Sequence, residues 1–275
     1  MRHPLLPGSR IDAARIQTWL DSFEGYRVAV SQGAIEHWIE QFDHRHRDLA
    51  ARILDSVDFI NRLRIQAAFR TILQSLGGWN LDRSQRLGKW RFVPFSGSSG
   101  SSADSMIHLF RMANRLTGRL YDELFIYRRD LLQEDYCGSD TIVLIDDFSG
   151  TGKQACDSWK EFFCEIVPRE PRKVLILVAM STQARQRIRK ETELEVWNDI
   201  ELWDSDNIFH DACTHFTARD KQILLRYCRR ADRSNPRGFG DCGYLVVFPD
   251  RCPNNSIPVL HMSHQRWHGL FPRHD

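Results

Sequence analysis

The sequence predicts an α/β fold with a mostly parallel sheet, preceded by an N-terminal helical module. Three patterns carry this. Between residues 90 and 230, short apolar runs alternate with stretches of helical periodicity, which is how βαβ units read. Two of those runs, residues 142–145 and 173–180, are almost continuously apolar, as strands covered on both faces are. Residues 11–77 show helical spacing alone.

The helical segment has four apolar faces. Ile16, Trp19, Leu20 and Phe23 make the first, and Ile35, Trp38, Ile39 and Phe42 the second. Leu49, Ile53, Leu54 and Val57 make the third. The fourth runs through Ile65, Phe69, Ile72, Leu73 and Leu76 and stops at Gly77-Gly78. The reading divides the chain into a helical module over residues 1–88, with 77–88 as the connection, and an α/β domain over 89–275. A lid, a homo-oligomer contact or a protein-partner surface are the roles open to the module.

Trp90 to Phe95 is the first strand expected in the α/β part. A small-residue loop follows, Ser96, Gly97, Ser98, Ser99, Gly100 and Ser101. Then Asp104 is expected to cap a helix carrying Met106, Ile107, Leu109, Phe110, Ala113 and Leu116. Residues 124–127 form the next strand, with Arg128 and Arg129 at its end. After the strand at 173–180 come a charged helix over 181–195 and a short strand over 200–203. Thr217 and Asp220 have capping-box spacing ahead of Ile223, Leu224 and Tyr227. Residues 244–248 read as a last strand.

The informative stretch is residues 141–154, Thr-Ile-Val-Leu-Ile-Asp-Asp-Phe-Ser-Gly-Thr-Gly-Lys-Gln. An apolar strand leads into Asp146 and Asp147. The loop Ser149, Gly150, Thr151, Gly152, Lys153 and Gln154 follows, and then Ala155, Trp159, Phe162, Phe163 and Ile166 at helical spacing. Small residues at such a junction let backbone N–H groups surround an anion, and Gly150 and Gly152 permit φ > 0. Two carboxylates beside that cradle suit the vicinal hydroxyls of a sugar. A site for a ribose 5-phosphate results. A Walker A loop fails at two positions: its first glycine falls on Asp147, and Gln154 replaces the Ser/Thr.

These residues resemble the fingerprint of type I phosphoribosyltransferases: four apolar residues, two acidic, then a Thr-Gly phosphate loop. The resemblance implies a sheet of that family's kind. It also implies that Asp146 and Asp147 hold the ribose hydroxyls of phosphoribosyl pyrophosphate (PRPP), and that residues 149–154 hold its 5-phosphate. Residues 96–101 would then cradle the pyrophosphate together with Mg²⁺, with no residue assigned as a direct metal ligand. Arg128 or Arg129 would neutralise the leaving group. The family's loop ends in Gly-Thr, whereas Lys153-Gln154 stands here. With Trp38, Phe42 and the C-terminal third included, the chain resembles a branch of such proteins found in bacterial conflict and phage-defence gene clusters.

That C-terminal third supplies a second candidate site. Asn254 and Asn255 carry amides suited to a base edge or to a tight Asx-turn, and Phe248 and Trp267 are aromatic faces for stacking. His210, Cys213 and His215, and likewise His261, His264 and His268, lack the regular spacing of a zinc motif.

Composition narrows the classes. An apolar fraction of 42 % in 275 residues supports a sizeable core. A formal charge of +2 creates no global field for nucleic acid or membrane, so the arginine runs at 185–190 and 226–233 read first as solvated faces. No apolar run reaches the ~20 residues of a membrane span. The N-terminus lacks a signal-peptide h-region. Seven scattered cysteines without a C-x-x-C pair suggest a reducing, cytoplasmic setting.

Three functional readings follow. The first is a phosphoribosyltransferase-like enzyme (a glycosyltransferase) acting at ribose C1 of PRPP or a nucleotide, as a phage-defence effector. The second is an inactive module that senses PRPP or a nucleotide and regulates a partner protein. The weakest is an effector contacting nucleic acid directly through its arginine-rich helices.

Overall fold

The computed structural model describes residues 11–95 and 102–273. In chain order its helices are α1 (Ala13–Ser22), α2 (Gln32–Glu40), α3 (Arg47–Asp55), α4 (Arg62–Ser75), α5 (Ser102–Ala113), α6 (Lys153–Ser158), α7 (Thr182–Glu191) and α8 (Ala218–Ala231). The strands are β1 (Asp58–Phe59), β2 (Trp90–Pro94), β3 (Thr141–Ser149), β4 (Arg172–Ser181), β5 (Glu195–Leu202), β6 (Val246–Val247), β7 (Ser263–His264) and β8 (Trp267–His268). The fold is α/β with parallel pairing in its main sheet, as the sequence predicts. No described helix is long and apolar enough to cross a membrane.

Residues 63–202 form one compact unit. Its sheet has the order β2-β3-β4-β5, all parallel. β3 has a partner on each side: Trp90 to Pro94 lie opposite Thr141 to Ile145, and Thr141 to Ser149 opposite Arg172 to Met180. Ile142, Val143, Leu144 and Ile145 are fully buried, which explains why this run carries no polar alternation. β5 is longer than the sequence suggests and α7 shorter. Pairing of Glu195 with Val174 draws the charged segment after Leu194 into the sheet, against its composition.

The two faces of the sheet are filled by different crossovers. On one, Phe110 of α5 packs at 4.9 Å from Phe92 of β2 and 5.5 Å from Phe69 of α4, measured between ring centroids. On the other, Ala155 and Cys156 of α6 and Ala184 and Ile188 of α7 pack on Val93, Ile142, Leu144, Leu175 and Leu177. The expected strand at 124–127 is reduced to a parallel bridge between Phe125 and Phe92, with Ile126 N–H donating to the Phe92 carbonyl at 3.2 Å. That bridge lies on the side of β2 away from β3. The chain leaves β2 in one direction, passes Phe125, and returns to β3 on the other side. The β2–β3 boundary is therefore a topological switch point, where open α/β sheets place ligands beyond their strand ends.

The second unit joins the described residues up to 62 to those from 203 onward. Here α1, α2 and α3 share a core with α8 and the C-terminal segment. Trp38 Nε1 donates to the Val259 carbonyl at 2.7 Å, and Tyr26 Oη to the Pro272 carbonyl at 2.6 Å. Phe23 meets Phe271 edge-on at 5.0 Å. β1 pairs with β6 in parallel. This differs from a division at residue 88: α1–α3 group with the C-terminal segment, and α4 groups with the sheet. Three helices of nine or ten residues leave large apolar faces to cover, and the C-terminal segment supplies the cover.

The capping box at α8 forms as its spacing predicts, with Thr217 Oγ1 accepting from Asp220 N–H at 3.1 Å. The same Asp220 carboxylate receives Arg52 of α3 in a two-pronged pair at 2.7 and 3.2 Å. Burial alone would raise the Asp220 pKa, but the Arg52 guanidinium and the Thr217 donors outweigh it and hold the group at about 2. A depressed carboxyl stabilises the fold above its unfolded pKa of about 4, and that contribution disappears as pH falls through about 2. Asp220→Asn is expected to cost about 2 kcal/mol near neutral pH and only about 0.4 kcal/mol near pH 2, read from denaturation midpoints. An equal loss at both pH values contradicts this account.

Candidate functional site

β3 runs further than its apolar core. Asp146 pairs with Leu177 in register, and pairing continues to Ser149. The acidic residues expected just beyond the strand are thus part of it. Both are buried, at 7 % and 5 % exposure. Asp146 Oδ1 accepts the Asp147 N–H at 3.0 Å. Successive strand residues take alternate sides, so the two carboxylates are not equivalent. Phe95 N–H donates to the Ile145 carbonyl at 2.9 Å, which brings the end of β2 beside the acidic pair.

The loop after β3 is held by the start of α7. Ser181 caps α7, accepting Ala184 N–H at 2.9 Å, and its hydroxyl donates to the Gly150 carbonyl at 2.5 Å. Arg187 Nη1 donates to the Thr151 carbonyl at 3.0 Å. In a trans peptide the C=O and the following N–H point in opposite directions. With the carbonyls of Gly150 and Thr151 turned to α7, the N–H groups of Thr151 and Gly152 are turned away from it, side by side. Gly152 adopts φ +74°, and a Cβ there would lie 2.9 Å from the Ala184 carbonyl oxygen. Only glycine meets both conditions. Ser149 and Thr151 are buried, and Thr151 Oγ1 accepts Lys153 N–H at 3.3 Å.

The end of the loop departs from a phosphate cradle. The Lys153 ammonium pairs with Asp157 one turn on. Gln154 lies in the first turn of α6, which has six residues and then widens into a π-helical turn at Trp159–Phe163. That widening buries Trp159 and Phe163 but leaves Phe162, expected on the apolar face, 41 % exposed.

Arg128 and Arg129 have different surroundings. The Arg128 guanidinium lies 4.7 Å over Phe162 and 5.8 Å from Phe163, and Phe163 is 5.2 Å from Phe95 at the end of β2. Its Nη1 is buried with no hydrogen-bond partner. Arg129 is exposed, 3.6 Å from Asp130 and over the Tyr127 ring. Ser96, Gly97, Ser98, Ser99, Gly100 and Ser101 lie outside the described residues. The helix after them begins at Ser102, so Asp104 falls inside α5 and not at its cap.

Asn254 and Asn255 belong to the unit containing α8. The Asn255 side-chain amide donates to the Phe239 carbonyl at 2.9 Å, and its backbone carbonyl accepts Tyr244 N–H at 3.2 Å; these are bonds to distant segments and differ from the Asx-turn that the sequence offered as an alternative. Asn254 is exposed beside a cavity of about 430 Å³ that Asn235, His261 and Ser263 also line. Phe248 and Trp267 offer no stacking face: both are core residues, and Trp267 Nε1 is spent on the Val259 carbonyl at 2.9 Å. Trp267 meets Phe42, just beyond α2, edge-on at 5.3 Å, a demand that local sequence does not reveal.

The arrangement is a buried acidic pair at the end of a central parallel strand, at a switch point, followed by a clamped Thr-Gly loop. A family model described as PRTase-CE matches residues 35–273. The chain belongs to this phosphoribosyltransferase-like family. The PRTase-CE match begins within α2 and spans both units. No curated protein matches the chain.

Sequence reasoning missed Ser181 and Arg187. A Ser between an apolar strand and a helix was readable as an N-cap, but its bond across 31 positions to Gly150 was not. Ser181→Ala is expected to destabilise the PRTase-CE chain by about 1–3 kcal/mol, because it leaves a buried carbonyl and the α7 cap without their partner. An unchanged urea midpoint refutes this. Gly152→Ala should be more damaging than Gly25→Ala. Both have positive φ, but nothing lies within 4 Å of a Cβ at Gly25. Gly25→Ala is expected to lose roughly 1 kcal/mol and Gly152→Ala clearly more; equal losses would show that α7 does not press on the loop.

Proposed function

We propose that this PRTase-CE chain binds PRPP or a ribose-5-phosphate nucleotide at the end of β3 and transfers or cleaves at ribose C1. The observation that carries the reading is the buried pair Asp146 and Asp147 followed directly by a loop whose Gly150 and Thr151 carbonyls are held toward α7 by Ser181 and Arg187, which leaves the N–H groups of Thr151 and Gly152 on the side away from α7. In this reading the carboxylates hold the ribose hydroxyls, and the loop from Ser149 to Gln154 holds the 5-phosphate. The ribose is thereby fixed while positive charge develops at C1, so that positioning and electrostatic stabilisation lower the barrier. Arg128, whose buried Nη1 lacks a partner, is the better of the two arginines to meet a leaving pyrophosphate.

An oxygen-only donor set of two carboxylates suits Mg²⁺. The ion would accompany the pyrophosphate near Asp146 and Asp147 and neutralise its charge. The resemblance alone supports a phage-defence setting for this activity.

A second reading has its own observation. The Lys153 ammonium is committed to Asp157, and Gln154 supplies no hydroxyl, so the loop end contributes less to a phosphate than the family pattern does. A sensor of PRPP or a nucleotide needs only the binding half of the site.

The test is binding of PRPP with Mg²⁺ by calorimetry, comparing wild type with Asp146→Asn/Asp147→Asn. The expected result is loss of binding in the double variant, by about 100-fold or more, with a melting temperature near that of wild type. Retained binding removes the carboxylates from the site. The two single variants are expected to be unequal, since the carboxylates take alternate sides of the strand. Timed assay of pyrophosphate or free-base release then separates enzyme from sensor.

A further inference from the structure

The last turn of α8, the residue stretch after it and the β7–β8 hairpin bring Arg229, Arg230, Arg233 and Arg266 around one open cleft of about 410 Å³. All four are exposed. Among the described residues none of them forms an ion pair, whereas Arg52, Arg172 and Arg185 each hold a carboxylate. Arg230 Nε donates to the Arg266 carbonyl at 3.1 Å, and its guanidinium lies 5.9 Å from the Trp267 ring.

A helix C-terminus favours cations, and Arg229 and Arg230 sit in the last turn of α8. That does not account for Arg233 and Arg266, which lie beyond the helix. The terminal carbonyls are also met by other groups: Cys228 O by Asp232 N–H at 2.7 Å, and Ala231 O by His264 Nε2 at 2.9 Å. Four like charges lining a concave surface repel one another and focus a positive potential within it. Guanidinium groups present paired N–H donors that match phosphate oxygens.

We propose that this cleft is a second phosphate-binding site, taking a ligand with several consecutive phosphates and independent of the site on β3. Trp267 is buried, so the ring that braces Arg230 is not presented to a base. The cleft reads charge and its spacing, not base identity. A free polyphosphate and the backbone of a single-stranded nucleic acid share that chemistry.

The full chain is titrated with inorganic tripolyphosphate and with a labelled oligothymidylate of about 12 nucleotides. Wild type is compared with Arg229→Gln/Arg233→Gln/Arg266→Gln; Arg230 is left in place because it bonds the Arg266 backbone. The expected result is binding of at least one ligand, weakened about tenfold or more in the triple variant at an unchanged melting temperature. Capture of tripolyphosphate alone identifies a small polyphosphate. Capture of the strand, with log affinity falling against log salt at a slope of about −3 and nearer −1 in the triple variant, identifies nucleic acid. No binding of either ligand, or equal binding by wild type and the triple variant, overturns the proposal. Binding that is lost instead in Thr151→Val belongs to the β3 loop and overturns it too.

Discussion

Carboxylates are expensive to bury, and Asp146 and Asp147 lie inside a sheet whose neighbouring residues are wholly apolar. What holds them there is the pairing of β3 with β4 along nearly its full length, and with β2 over its first five residues. Every hydrogen-bonded neighbour fixes the strand's end more tightly. The positions of the two carboxylates are thus settled by folding. Ile142 to Ile145 supply the burial that makes this possible. The placement of 146 and 147 therefore depends on the four residues before them.

The loop that follows has the opposite character. It begins with small buried residues, and bonds from the N-cap and body of α7 hold its carbonyls. Ser181, the N-cap of α7, and Arg187 on that helix seize two successive carbonyls, so any shift of α7 is passed to the loop as a rotation of both peptides. Gly152 allows the close approach by lacking a side chain where Ala184 passes. The cap of one helix thus determines the donor geometry at the start of another.

The main sheet was legible because doubly covered strands have to be apolar at consecutive positions, as residues 142–145 and 173–180 are. The acidic pair and the Thr-Gly loop were legible because few other uses suit carboxylates at a strand end beside glycines. The Thr217 cap was local and was read directly. Contacts of long sequence separation were hidden: Ser181 to Gly150, Arg52 to Asp220, and Trp38 to Val259, which is 221 positions away. Periodicity gave α1–α3 their inner faces but not what those faces touch, and so the helices were assigned to a module of their own. It likewise counted Trp267 and Phe248 as available aromatics, because burial leaves no trace in the residues around them.

One unit of this chain is uninterrupted, from residue 63 to 202, while the other is assembled from segments on either side of it. On the ribosome this separates the two in time. The sheet and its acidic strand can close as soon as β5 has emerged. Trp19, Trp38 and Phe42 must wait, through the synthesis of well over a hundred residues, for α8 and Trp267 to cover them. Nascent chains with such surfaces uncovered are the species that chaperones engage and that aggregate when crowded. Helices α1–α3 thus keep their apolar faces uncovered until the segments more than 150 positions later in the sequence have been made.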